Sequence, residues 1–234
     1  MDTFFQVGTL MPFLQGIYEG DYSLKQLAKE GNCGLGTFNG VDGELVALDG
    51  HFYQMDKTGN ARIVAPETKT PFAVVSHFQP APALVVHHVP NIANLNQLLD
   101  QHLLSKNIFY MIRIEAELDW IKLRSEACQS RPYRPLDECL PQTQHTFELH
   151  HSQGSLIASY CPEYSKMITI AGYHYHFIDK ARKIGGHVFD FKIKSARIMI
   201  NPLRQFKMAL LNTTEFDELD IEVNDLQMAL KKIE

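Results

Sequence analysis

Apolar and polar positions change period several times along the chain, and each change predicts an element. Ser23-Leu24-Lys25-Gln26 has the form of a capping box, so a short helix is expected from Ser23 to about Glu30, ended by Gly31. A helical turn around Pro12 to Tyr18 precedes it. From Gly34 the pattern turns β-rich. Leu45 to Leu48 leads into Asp49-Gly50, a turn dipeptide, and His51 to Met55 and Ala61 to Val64 read as strands on either side of a polar turn. Phe72 to Phe78 is a further strand. Ile92 to Leu104 has helical spacing, and Ile108 to Leu118 alternates, with Arg113, Glu115 and Glu117 on one face as a charge ladder. Pro132, Pro135 and Pro141 predict a loop or linker over 130–144. A second β-rich region spans about 146–211, and Val223, Leu226, Leu230 and Ile233 mark one face of a C-terminal helix.

The proline-rich segment separates a β-rich unit with helices, residues 1–128, from a second β-rich unit, residues 129–234. The two are either tightly associated or one domain. A faint repeat links them. Leu48-Asp49-Gly50-His51-Phe52-Tyr53-Gln54 resembles Ile170-Ala171-Gly172-Tyr173-His174-Tyr175-His176-Phe177, and Asp-Lys follows each in a polar turn, at Asp56-Lys57 and Asp179-Lys180.

Composition narrows the function classes. The 234 residues are 45% hydrophobic and 21% charged, which suits a globular chain and not a disordered one. Net charge is −5 with no basic block, so nucleic acid is not an expected partner. No secretory signal or membrane-length apolar run is visible, and a cytoplasmic location is expected. Cys33, Cys128, Cys139 and Cys161 show no Cys-x-x-Cys spacing, which points to isolated reduced thiols.

Histidine is the unusual component, with 11 residues. His174 and His176 stand at i and i+2, so on a strand both project from one face. A hairpin centred between Ala181 and Arg182 would set residue 176 opposite residue 187. His187 then joins the other two, and three imidazoles with an open position form the ligand set of a catalytic zinc site. Spacing alone does not choose between zinc, iron and manganese. Satisfied structural histidines are the competing reading. His87-His88 and His150-His151 are adjacent pairs, facing opposite ways on a strand, and read as structural or exposed.

Several segments resemble the α-acetolactate decarboxylase family. Gly34-Leu35-Gly36-Thr37-Phe38, Asp42-Gly43-Glu44-Leu45 and Leu48 to Gln54 are similar to its N-terminal signature, followed by Thr70-Pro71-Phe72-Ala73. Pro162-Glu163-Tyr164, Gly172 to Ile178 and Gly185-Gly186-His187-Val188-Phe189-Asp190-Phe191 resemble its metal segment. The resemblance implies an α/β protein of the α+β type. Two related strand–helix–strands units with mixed sheets would hold a zinc ion between them, usually in a homodimer. It implies a carbon–carbon lyase that converts 2-acetolactate to acetoin and CO₂, on the route to acetoin and butanediol. The metal ligands carry over to His174, His176 and His187, and further site residues to Thr37, Glu44, Arg124 and Glu234. The family usually follows that Arg-Ser with Val-Pro, whereas this chain has Glu126-Ala127.

The expected chemistry follows from the reaction. Loss of CO₂ from a β-keto acid leaves electrons that need a sink, and a metal on the ketone oxygen would stabilise an enediolate as a Lewis acid. Arg124 would hold the carboxylate or hydroxyl, or else form a surface salt bridge to Glu126 or Asp119. Glu44 would donate the proton to carbon, which needs a raised pKa. Thr37 would orient the substrate, and Glu234 would close over the metal. The alternatives are a cupin-like metal-dependent hydrolase or oxygenase, and a non-catalytic metal-binding module.

Overall fold

The computed structural model describes residues 3–79 and 81–220. In chain order its first elements are β1 (Thr3–Val7), α1 (Leu10–Leu14), β2 (Tyr22–Ser23), α2 (Leu24–Leu27) and β3 (Cys33–Thr37). Then come β4 (Glu44–Leu48), β5 (His51–Met55), β6 (Ala61–Ile63), β7 (Lys69–Thr70), β8 (Ala73–Ser76), β9 (Leu84–Val89) and α3 (Ile92–Asp100). The long strands β10 (Phe109–Glu126) and β11 (Gln144–Cys161) flank α4 (Leu136–Thr143). Last are β12 (Gly172–Asp179), β13 (Gly185–Leu203), β14 (Gln205–Ala209) and α5 (Thr214–Asp217).

The fold is α+β, built on two main sheets. A seven-stranded mixed sheet has the order β14-β1-β8-β3-β4-β5-β6, with β14 parallel to β1 and every other pair antiparallel. A second sheet has the order β10-β11-β12-β13-β9, and β10 also pairs with β13, so four of its strands close into a ring. Sheet membership crosses residue 128: β9 and β10 join strands from the second half, and β14 joins the first strand.

Burial explains the strand patterns. β3, β4 and β8 are buried at every position because both faces of their sheet are covered. Phe4, Leu35, Val46 and Val74 pack with Met111, Ile157 and Ile178 of the other sheet. Their neighbours Phe5, Leu45, Ala47 and Val75 pack on the opposite side with Leu24 and Leu27 of α2. Ile112, Ile114, Leu156 and Phe177 fill the interior of the closed sheet beneath α3.

The capping box forms as the sequence predicts: Gln26 N donates to Ser23 Oγ at 3.3 Å and Ser23 N to Gln26 Oε1 at 2.9 Å. Its helix is shorter than expected, ending at Leu27. The predicted strand from Ile108 is longer, running to Glu126. Its alternation is interrupted by register shifts on both sides of Leu118, and that break hides the continuation. Segment 130–144 is not all loop. α4 begins directly after Pro135, where the missing N–H costs nothing, and tolerates Pro141 near its end. α3 stops at Asp100, short of Leu104. The expected C-terminal helix, residues 223–233, lies outside the described residues.

The two Asp-Lys turns of the repeat touch each other. Asp56 Oδ1 accepts from Thr58 N at 2.8 Å and Asn60 N at 3.1 Å, and Asp179 Oδ1 accepts from Lys183 N at 2.6 Å and Ile184 N at 3.0 Å. Across the turns, Ala61 N donates to Lys183 O at 2.8 Å and Gly185 N to Gly59 O at 2.9 Å. These bonds clasp the histidine-bearing hairpin to the seven-stranded sheet.

Candidate active site

Two rows of register-matched residues build the site. In the closed sheet, His176 of β12 pairs with His187 of β13, the register expected from the hairpin, and His187 pairs on its other side with Arg124 of β10. In the seven-stranded sheet, Thr37 of β3 pairs with Glu44 of β4. Opposed residues project to the same face, so each row presents its side chains together. Close backbone approach aligns the rows. A Cβ on Gly186 would meet Arg124 O at 2.4 Å, so only glycine lets β13 reach β10 here. Gly43, at φ +75°, makes the turn that delivers Glu44, and a Cβ there would sit 1.9 Å from Met55 O.

The rows meet at one cavity of about 420 Å³. Its polar wall holds Thr37, Glu44, Arg124, Glu126 and the three histidines, and Leu10, Phe13, Ile170 and Phe189 contribute to the apolar remainder. The ligand nitrogens of His174, His176 and His187 lie within 4.8 Å of one another. His176 is 1% exposed, and its Nδ1 lies 2.8 Å from Leu45 O. A carbonyl only accepts, so Nδ1 carries the proton and Nε2 keeps its lone pair. That Nε2 is buried and makes no hydrogen bond among the described residues, although Glu44 Oε2 is 3.1 Å away. His174 Nε2 and His187 Nδ1 face each other at 3.1 Å.

Burial pushes the His176 imidazole down to about 3, with the Leu45 hydrogen bond opposing and Arg124 adding to the fall; burial also holds His174 and His187 well below the usual histidine range, and there Arg124 and the neighbouring imidazoles act in the same direction. All three are therefore neutral donors near pH 7. Three neutral nitrogens, one an orphaned buried lone pair, fit a divalent metal ion with an open coordination face.

The other wall is charged. Arg124 is 8% exposed, so it forms no surface salt bridge. It does pair with Glu126, with a nitrogen 3.8 Å from Glu126 Oε2, but inside the cavity. Its guanidinium lies 5.7 Å from the Phe189 ring centroid, within cation–π range. Burial raises the Glu44 carboxyl well above the carboxylate range; Glu126 adds to this and Arg124 opposes it. Glu126 is also raised by burial, against the pull of Arg124 and a hydrogen bond from Glu44. Two buried carboxyls in contact cannot both ionise easily, so the proton resides on Glu44.

Thr37 Oγ1 donates to Gly43 O at 2.7 Å, so its hydroxyl proton braces the turn before Glu44 while the residue borders the cavity. Glu234 lies outside the described residues. Glu126 was missed as a site residue. It is 3% exposed and shares a strand face with Arg124 two positions earlier, so alternation alone could have flagged it. The other histidines stand apart, and His87, His88, His150 and His151 are exposed.

Fold and site together define an α+β protein with a buried three-histidine cluster facing an Arg–carboxyl wall across one cavity. The model of the alpha-acetolactate decarboxylase family matches residues 4–223, and the chain belongs to that family. The alpha-acetolactate decarboxylase of Methylococcus capsulatus is 40% identical over 220 residues, covering 94% of this chain and 84% of that protein. That of Brevibacillus brevis is 35% identical, over 93% of this chain and 76% of its own length. The crystal structure of alpha-acetolactate decarboxylase from Bacillus subtilis strain 168 superposes with a TM-score of 0.94 at 31% identity, covering 98% of each chain.

Proposed function

We propose that the protein is a metal-dependent lyase that decarboxylates 2-acetolactate to acetoin and CO₂. Family membership supports the reaction class. The observation that carries the mechanism is the convergence of three imidazoles, one buried arginine and the buried carboxyl of Glu44 on a single cavity. A divalent cation held by His174, His176 and His187 supplies Lewis-acid stabilisation of the negative charge that develops as the carboxylate departs. Zinc is the metal proposed, because a site of three neutral nitrogens suits it.

The chain's own residues do the rest. Arg124, resting on Phe189, binds the substrate carboxylate through its planar fork. Glu44 holds the proton that the product carbon needs, and it regains that proton from solvent after each turnover. Thr37 positions Glu44 through the Gly43 turn. The apolar wall excludes water and accepts the methyl groups. A role for Glu234 at the metal site rests on the resemblance alone. The homodimer, the cytoplasmic location and the place on the route to acetoin and butanediol rest on the resemblance, and the two-unit division at residue 128 on the proline-rich segment that follows it. No helix among the described residues is long and apolar enough to cross a membrane.

The test is release of acetoin and CO₂ from racemic 2-acetolactate, with and without a chelator, followed by zinc add-back. Activity lost to the chelator and restored by zinc is the expected result. A folded, zinc-loaded protein that releases nothing above background would refute the reading. Family membership weighs against the cupin-like alternative, and turnover would dismiss a non-catalytic module.

A further inference from the structure

The reaction uses Glu126 only as the hydrogen-bond partner of Glu44, yet it is one of the most conspicuous groups in the cavity. It is an acid, 3% exposed, on the wall that must receive a carboxylate substrate. An anion placed there opposes binding of another anion unless it serves some purpose. Its geometry suggests one. A nitrogen of Arg124 approaches Glu126 Oε2 to 3.8 Å, close enough for strong attraction and too far for a hydrogen bond. Glu126 Oε2 and Arg124 Nε are both buried with no hydrogen-bond partner among the described residues. The ion pair is thus left open, and the guanidinium keeps donors free for a second anion in the same cavity.

Decarboxylation changes what that guanidinium faces. The substrate arrives with a carboxylate and loses that charge as neutral CO₂ forms. An arginine whose only counter-anion is the substrate stabilises the bound substrate more than the transition state, and such binding lowers kcat. A fixed carboxylate at ion-pair distance weakens the first interaction and compensates the second.

We propose that Glu126 is a positioning residue that acts through Arg124: it shares the guanidinium with the substrate carboxylate and recovers it as that carboxylate leaves as CO₂. This rests on the decarboxylase reading above. Glu126 also accepts a hydrogen bond from the proton donor Glu44, but the effect proposed here runs through Arg124. Its effect is to keep substrate binding loose enough for turnover.

Glu126→Gln removes the charge at nearly constant shape. The expected result is that KM and kcat for 2-acetolactate both fall, each by about tenfold, with bound zinc unchanged. A residue that merely supports the structure would raise KM or lower stability, and loss of the Glu44 contact alone would lower kcat at constant KM; neither would tighten binding, and either result would overturn the proposal. A binding measurement separates the proposal from the reaction assigned to the site. The probe is 2-hydroxy-2-methylpropanoate, which keeps the carboxylate and tertiary hydroxyl but has no ketone and cannot lose CO₂ by this route. Its affinity is expected to rise about tenfold in Glu126→Gln, while that of its uncharged amide stays the same. Unchanged or weaker binding of the anion would overturn the proposal, as would a KM that rises at constant kcat. If Glu126→Gln does not fold, Glu126→Asp draws the charge back by one methylene and should show the same signs at smaller size; the opposite signs would overturn the proposal equally. Wild-type protein that releases no acetoin would instead refute the decarboxylase reading, and the anion-to-amide comparison would still decide whether Glu126 competes for Arg124.

Discussion

His176 and Glu44 lie 3.1 Å apart, yet they belong to different sheets and answer burial in opposite ways. The histidine loses its proton and becomes a neutral donor, while the carboxyl keeps its proton and becomes a neutral acid. The histidine wall is uniform. Three imidazoles on paired strands are neutral for one shared reason, and a backbone carbonyl fixes one tautomer. The carboxyl–arginine wall is mixed, and each charge there depends on its neighbours. The difference separates two tasks: a rigid, neutral wall suits a fixed cation, and a mutually compensating charged wall suits a substrate whose charge disappears during the reaction.

The largest expected effect comes from breaking the histidine wall. His176→Ala should lower bound zinc and activity together by at least about 100-fold, with the circular dichroism spectrum largely kept. Unfolding on metal loss would instead mark a structural site. Next, Arg124→Ala should cut kcat/KM by about 100-fold with zinc retained. It also strands Glu126 as a buried unpaired charge, so urea denaturation should show a loss of about 3 kcal/mol. Unchanged kcat/KM would remove Arg124 from substrate binding. Glu44→Gln tests the proton source: kcat should fall about 100-fold with KM nearly constant, and a solvent isotope effect on the residual rate should change. The two walls can finally be loosened at the clasp. Asp56→Asn, which weakens one turn, should cost under about 1 kcal/mol. The Asp56 carboxyl lies below its ordinary range because hydrogen bonds from Thr58 and Asn60 outweigh the effect of burial. Its contribution is therefore present above the usual carboxylate pKa of about 3.9 and is lost as pH falls through the lower folded value. Urea midpoints measured from pH 6 to 2 should show a shallower acid limb in the variant.

The histidine wall was legible in the sequence because its signal is local. His174 and His176 sit two apart, and a hairpin centred at 181–182 sets the third by register alone. The charged wall was not legible to the same degree. Arg124 and Glu44 are brought together by packing between sheets, which no spacing within the chain encodes, and they entered through family resemblance. Glu126 stood out only as a departure from the family pattern, and its burial made it a site residue. α4 was hidden because its proline signals also mark loops, and the far half of β10 because register shifts broke its alternation. The capping box at Ser23 needed only four residues and was read directly, although its helix proved shorter than expected.

The parallel pairing of β14 with β1 has a consequence for synthesis. Thr3 lies beside Gln205, and their side chains meet at 3.1 Å although 202 positions separate them. On the ribosome, β1 can find β8 once residue 76 has emerged, but its other edge has no partner until β14 has been made. A nascent chain stalled before Gln205 would thus carry an open strand bearing Phe4 and Phe5, the kind of edge that recruits other chains. The larger sheet is finished only once residue 209 has been made, so a chain that terminates before Gln205 keeps that edge open.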